Sequence, residues 1–247
     1  MKVIVCKDYD DMSKKASELV ISNMIEKPQI KFGFATGSSP IGLYKNLIAA
    51  QKEGEISFKY AKSVNLDEYV GIDPANDQSY SYFMHENLFD HVNIKPENTY
   101  IPNGMEEDVD KECTRYNSII HQLGGIDLQL LGIGNNGHIG FNEPSDTFAK
   151  ETHCVELTKT TIQANARFFD SIDEVPTHAY TTGIKNIMEA KHILLIANGE
   201  GKADALYQSL FGSITPQVPA SILQLHDDVS IVADEAALSR IIEKNLI

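Results

Sequence analysis

Strand-like runs recur at residues 3–5, 30–35, 63–66, 126–131, 192–197 and 229–233, and most of the intervals between them carry apolar residues at three- and four-residue spacing. No other property of the chain constrains its fold as much. Strands separated by helices are not joined by hairpins; they line up in parallel through right-handed crossovers, and their helices cover the sheet. The helical intervals fall near residues 8–26, 40–52, 79–90, 106–123, 160–169, 202–211 and 234–244. The pattern predicts an α/β fold with an open, mostly parallel sheet and helices on both faces, Rossmann-like in outline.

At 247 residues and 42% hydrophobic content the chain can bury a large core. No Pro/Gly/Ser-rich linker or internal repeat divides it, so residues 1–247 are expected to form a single α/β catalytic domain. The Glu106-Glu107-Asp108 run reads as a solvated helix start. A formal charge of −14 without a basic stripe argues against nucleic acid and against an anionic membrane surface as partners. Cys6, Cys113 and Cys154 are odd in number and widely spaced, which suits reduced thiols. The first residues read as a strand rather than a signal peptide, and no apolar run reaches the length of a membrane span. A cytoplasmic location is expected.

Ligands on open α/β sheets collect at the carboxyl ends of the strands, which directs attention to four segments. Thr36-Gly37-Ser38-Ser39-Pro40 follows the second run; Ser39 is expected to cap a helix with Pro40 at its first position, leaving backbone N–H groups and hydroxyls to cradle an anion. Asn65-Leu66-Asp67-Glu68-Tyr69 places two carboxylates after the third run. Neighbours on an extended chain point opposite ways, so at most one of Asp67 and Glu68 faces a pocket directly, leaving a structural role for the other. The third segment, residues 132–144, is a glycine-rich turn that presents His138 and then Glu143 off an apolar strand. A histidine exchanges protons near neutral pH, and a carboxylate five residues on can stabilise its imidazolium and fix its tautomer. The fourth, Asn198-Gly199-Glu200-Gly201-Lys202, opens a helix beside a cation that disfavours the helix dipole unless an anion sits there. Arg167 is a second cation, set among Phe168 and Phe169; its ordinary alternative is a surface ion pair.

Other chemistries fit less well. Gly132-x-Gly134-x-x-Gly137 matches the spelling of a dinucleotide fingerprint, but Gly140, Asn142 and Pro144 interrupt the helix it requires. The first segment lacks the Gly-Lys-Ser/Thr ending of a nucleotide P-loop, which favours a single phosphate. His85-Glu86 has Phe89 where a second zinc ligand belongs, and no Gly-x-Ser-x-Gly elbow is present. Neither a metal nor a redox cofactor is expected.

Together the segments resemble the glucosamine-6-phosphate deaminase family over nearly the whole length. Leu66-Asp67-Glu68-Tyr69-Val70-Gly71, Ser81-Tyr82-Phe83-Met84-His85, the run from Gly137 to Pro144, and Ala166-Arg167-Phe168-Phe169 stand in the family's order. The resemblance implies conversion of glucosamine 6-phosphate and water to fructose 6-phosphate and ammonia, a sugar-phosphate partner, and no cofactor. It implies that Asp67 moves a proton between C2 and C1 and that His138 opens the pyranose ring with Glu143. It implies a phosphate site at Ser38 and Ser39, closed by Arg167 and Lys202.

Two departures bear on this. Many family members carry aspartate where this chain has Asn136; asparagine orients a histidine but cannot accept its proton, which leaves Glu143 as the main carboxylate partner. Longer members are activated by N-acetylglucosamine 6-phosphate through basic residues shortly after the Asn-Glu-Pro segment. The corresponding positions here are His153 and Val155, and Arg240 and Lys244 lie near the end, so a short, non-allosteric form is expected. Residues 145–178 are a candidate lid, where the runs at 158–161 and 170–173 read only as helix caps. A homo-oligomer stays open. The competing readings are 6-phosphogluconolactonase, which shares the fold and a related histidine loop, and a sugar-phosphate sensor, which would normally add a DNA-binding segment.

Overall fold

The computed structural model describes residues 1–166, 169 and 171–247. Its centre is a seven-stranded sheet in the order β1 (Lys2–Cys6), β10 (Val229–Asp234), β9 (His192–Ala197), β6 (Leu128–Leu131), β2 (Lys31–Phe34), β3 (Lys62–Asn65) and β5 (Thr99–Tyr100). Every pairing in it is parallel. All six strand-like runs of the sequence lie in this sheet. Side chains alternate between faces along a strand, yet every residue of β6 and β10 is buried. Both faces of the sheet are therefore covered, and the near-continuous apolar character of these strands follows from that.

Eight α-helices supply the cover and the crossovers among the described residues: α1 (Tyr9–Glu26), α2 (Ile41–Lys52), α3 (Tyr80–Asn87), α4 (Val109–Leu123), α5 (Lys159–Asn165), α6 (Ile184–Met188), α7 (Ala203–Phe211) and α8 (Glu235–Glu243). Local chemistry sets most of their starts. Asp8, Ser79, Asp108, Thr158 and Asp234 each accept the backbone N–H three residues on, satisfying a donor that the first turn leaves open. Asp108 confirms the helix start read at Glu106-Glu107-Asp108. Gly124 ends α4 in the left-handed region at φ 70°, a conformation that glycine adopts without strain. The short α6 carries too few residues to display a period.

A second sheet is absent from the sequence reading. Strands β4 (Asp67–Tyr69), β8 (His178–Thr181) and β7 (His153–Glu156) pair antiparallel in the order β4-β8-β7. Leu66 joins it to the main sheet: its N–H donates to Phe34 O at 3.1 Å, and its carbonyl accepts the Thr182 N–H at 2.8 Å. What the sequence presents as the turn after β3 is thus a separate strand. Three polar residues give no alternation to recognise, and their pairing partners lie over a hundred residues away. A small apolar cluster of Tyr69, Ile72, Phe141, Leu157 and Ala179 packs beneath this sheet, apart from the main core.

Candidate active site

Because β6 lies between β9 and β2, the segments that leave these three strands at their carboxyl ends are neighbours. The Ser39 hydroxyl donates to Asn198 Oδ1 at 2.8 Å and ties the first segment to the fourth. Ser39 is therefore not the cap of α2. Pro40 itself occupies the cap position, with its carbonyl accepting the Tyr44 N–H at 2.9 Å, and no side chain caps the helix. The reason lies in the sheet order, which puts a better partner for the hydroxyl across the crevice. Tyr9 takes up part of the slack: its hydroxyl accepts the Gly42 N–H at 2.8 Å and donates to Ser38 O at 3.1 Å. Thr36 and Gly37 are half-buried and Ser38 is exposed at the mouth of this loop. Gly37 has φ 88°, which a side chain would strain.

On the β9 side, Gly199 donates to both carboxylate oxygens of Asp234 at 3.0 Å, so the cap residue of α8 also holds the fourth segment. Lys202 ends a 3-10 turn and opens α7, half-buried. Arg167, expected to close around the phosphate, lies outside the described residues.

The third segment folds back on itself through Gly134 N–H to His138 O at 2.9 Å and Gly137 N–H to Gly134 O at 3.0 Å. The glycine at 134 makes room for the histidine: a Cβ there would lie 2.4 Å from His138 Cε1 and Nε2. Asn136 braces the loop from both sides, accepting the His138 N–H at 3.2 Å and donating to Glu143 Oε2 at 2.7 Å. The same Glu143 oxygen lies 3.3 Å from His138 Nδ1. His138 and Glu143 are thus brought together, as their five-residue spacing in a tight loop allows, and Asn136 joins them. Burial pushes the Glu143 carboxyl up, but His138, Thr161 and Asn136 outweigh it and hold the carboxyl below its ordinary value.

Asp67 reaches the same loop by way of the second sheet. It pairs in register with Thr181, and the Thr181 hydroxyl accepts the Phe141 N–H at 3.0 Å. A Cβ on Gly140 would lie 3.5 Å from Asp67 Oδ2, so the carboxylate stands against the backbone of the histidine loop. Asp67 is only 6% exposed. Burial, and secondarily the neighbouring Glu68, push its carboxyl up to about 8. Glu68 turns the other way, accepting the N–H groups of Tyr69, Tyr80 and Ser81 at 2.9 Å each. Burial raises Glu68 to about 7, against the pull of those three donors. Its role is to anchor the start of α3, which settles the division of labour that alternation requires.

Several contributors were not singled out in the sequence. Tyr69 and Tyr80 sit 4.8 Å apart, and Tyr80 stacks on Phe141 at 5.9 Å. Asn165 Nδ2 donates to Tyr69 Oη at 2.8 Å, and the Thr161 hydroxyl donates to Glu143 Oε1. Thr181 matters through tertiary pairing alone, and nothing local in the sequence marks it; Asn198 heads the fourth segment, but its bond to Ser39 comes from the sheet order.

If Asp67 acts as a base, kcat/KM, which reports the free protein, is expected to climb with pH through a midpoint near pH 8 and to level off only above it, because only the ionised carboxylate can take a proton. Glu68→Gln removes the second cause of the raised value, so its acidic limb is expected at lower pH. A limb that stays in place in the pH profile of that variant would contradict the coupling.

A family model described as glucosamine-6-phosphate isomerases/6-phosphogluconolactonase matches residues 8–232. The chain is 55% identical over 245 residues to a glucosamine-6-phosphate deaminase of Clostridioides difficile (strain 630), covering 99% of this chain and 98% of that protein. A solved structure of a monomeric glucosamine-6-phosphate deaminase superposes with a TM-score of 0.95 at 44% identity, over 97% of this chain and 100% of that one. The 6-phosphogluconolactonase from Trypanosoma cruzi gives a TM-score of 0.78 at 17% identity, over 97% and 96%; it shares the fold.

Proposed function

The chain belongs to the family of glucosamine-6-phosphate isomerases and 6-phosphogluconolactonases, and from that premise we propose that it is an enzyme of the deaminase branch, converting glucosamine 6-phosphate and water to fructose 6-phosphate and ammonia. The observation that carries this reading is the meeting of two proton-transfer groups in one crevice: a buried carboxylate, Asp67, against the loop that pairs His138 with Glu143. Lactone hydrolysis asks for activation of water at one carbonyl. An aldose–ketose shift asks in addition for a base that can serve both C2 and C1 from one face.

In this reading His138, oriented by Glu143 and Asn136, moves a proton from the anomeric hydroxyl to the ring oxygen and opens the pyranose. Asp67 then takes the C2 proton, giving an enolamine, and returns a proton to C1. The product is the C2 imine of fructose 6-phosphate, and water adds to it and expels ammonia. A carboxyl raised by burial suits a base of this kind, since proton transfer is most effective when its pKa lies near the working pH. We assign the phosphate to the wall formed by the loops after β2 and β9, with Thr36, Gly37, Ser38 and Lys202 as its contacts and Arg167 added on sequence alone. Ser39 supports that wall through Asn198.

Rate against glucosamine 6-phosphate is expected to be hyperbolic and unaffected by N-acetylglucosamine 6-phosphate; sigmoidal kinetics relieved by that compound would refute the non-allosteric assignment. We place the protein in the cytoplasm, in line with its acidic charge and reduced cysteines; among the described residues no helix is long and apolar enough to cross a membrane.

The test is ammonia release from purified protein given glucosamine 6-phosphate, glucosamine or 6-phosphogluconolactone. Ammonia and fructose 6-phosphate from the first alone are expected. Fast lactone hydrolysis without ammonia would move the protein to the sister branch, and binding without turnover would make it a sensor.

A further inference from the structure

Thr158 and Thr161 open α5 as a threonine cap does: the Thr158 hydroxyl accepts the Thr161 N–H at 3.2 Å. That cap needs one side-chain oxygen, and the helix makes no demand on the hydroxyl of Thr161. Thr161 is nonetheless buried at 6% exposure, and its hydroxyl donates to Glu143 Oε1. The Thr158 hydroxyl stands 3.0 Å from Thr161 Oγ1 and 3.4 Å from the same carboxylate oxygen.

The two oxygens of Glu143 are thus divided between two elements. Oε2 belongs to the catalytic loop, with Asn136 Nδ2 at 2.7 Å and His138 Nδ1 at 3.3 Å. Oε1 belongs to α5. The terminal torsion of a glutamate is broad, so donors on one oxygen alone leave the carboxylate plane free to turn. A donor on each oxygen fixes it. The far end of α5 bears on the other side of the crevice, where Asn165 Nδ2 donates to the hydroxyl of Tyr69, two residues beyond Asp67.

Resting on the proposed deamination, we propose that Thr161 is a positioning residue for ring opening: its hydroxyl holds the Glu143 carboxylate in the plane from which Oε2 meets His138 Nδ1. The hydroxyl touches no substrate atom in this role and acts through Glu143. A segment outside the glycine-rich loop therefore controls whether that loop's histidine is ready for proton transfer.

Thr161→Val keeps the branched shape and the backbone N–H that the Thr158 cap uses, and removes the hydroxyl that donates to Glu143 Oε1 and accepts from Thr158 Oγ1. It is expected to lower kcat about tenfold to a hundredfold, the range for a misoriented proton-transfer group, with KM within about threefold. Thr161→Ser restores the donor and is expected to return kcat to within about threefold of the wild type. The pair Thr161→Val and Glu143→Gln should be non-additive: with the carboxylate already gone, the valine costs little more. A valine variant with wild-type kcat, a loss seen in KM instead, serine failing to rescue, or additive losses would each overturn the proposal. If the valine variant does not fold, Thr161→Ala carries the same expectations. If the wild type itself releases no ammonia, it is the deaminase reading that fails, and the kinetic series is not reached.

Discussion

Asp67→Asn is expected to abolish exchange of the C2 hydrogen of glucosamine 6-phosphate with solvent and to cut turnover by about a thousandfold or more, within the range that a single proton-transfer group supplies. Substrate binding should change little, because the variant keeps the size and polarity of the side chain and alters only its ability to take a proton. The position allows a clean test. Asp67 lies on a three-residue strand pinned by antiparallel pairing to β8, and Thr181, its partner in register, is bonded to the histidine loop. A side chain so placed has little freedom to let another group substitute for it. Exchange followed by NMR in deuterated water, with binding measured separately, decides the matter: retained exchange would remove Asp67 from the role of base.

The same substitution has a consequence for stability, and its sign is opposite to its effect on activity. The folded-state value of Asp67 is raised to about 8, above its unfolded value of 3.8. Its contribution to stability is then full below pH 3.8 and falls as pH rises through that window toward 8, because the unfolded chain releases the proton first. Above pH 8 the ionised, buried carboxylate costs on the order of several kcal/mol relative to a neutral side chain. Asp67→Asn is therefore expected to raise the melting temperature at pH 8 to 9 and to matter less near pH 4. If Asp67 is the base, its burial is a stability cost that the site carries for its chemistry.

Glu143→Gln is expected to damage turnover more than Asn136→Ala: about a hundredfold against about tenfold, on the usual scale for losing a charged partner of a proton-transfer group compared with losing a neutral brace. Both side chains touch the histidine's surroundings, but they do different things. Glu143 offers a negative charge 3.3 Å from His138 Nδ1, which stabilises the imidazolium as it forms. Asn136 offers geometry, donating to Glu143 at 2.7 Å and accepting the backbone N–H of His138. Glutamine removes the charge and in addition sets an amide against Asn136 and Thr161, both of which donate to the carboxylate in the wild type. Steady-state kinetics of the two variants, at a pH where Asp67 is ionised, separate the roles; equal losses in kcat would mean that the asparagine carries more than orientation.

The main sheet was legible in six of its seven strands because its inner strands are buried on both faces and read as apolar runs, and because alternation with amphipathic helices leaves few topologies; β5, two half-buried residues at the edge, gives no such run. The histidine loop was legible for a related reason: five residues in a tight glycine turn stay close, so His138 and Glu143 can meet, and they do at 3.3 Å. The second sheet was not legible. Asp67, Glu68 and Tyr69 form a strand only because β8 arrives beside them from residue 178 onward, and three residues carry too little pattern to announce it. Ser39 went astray for the same reason. Its local surroundings favour a helix cap, while the order of the strands brings Asn198 within 2.8 Å and takes the hydroxyl elsewhere. Thr161 shows the converse, a cap residue by local reading whose hydroxyl is engaged across the crevice.

What the amino-acid sequence by itself determined are the properties that arise within a few turns of chain: the α/β class, six of the seven strands of the parallel sheet, most helix starts, and the closeness of His138 and Glu143. Periodicity, capping and tight turns act over short separations, where the chain has few alternatives and each residue's neighbours are known. Only the tertiary structure decided which of Asp67 and Glu68 faces the crevice, how dry that carboxylate is, and which hydroxyls reach Glu143 and Asn198. Those outcomes depend on strand order and register between segments about twenty to more than a hundred residues apart, where burial and hydrogen bonding are settled by the packing of the whole rather than by any one stretch.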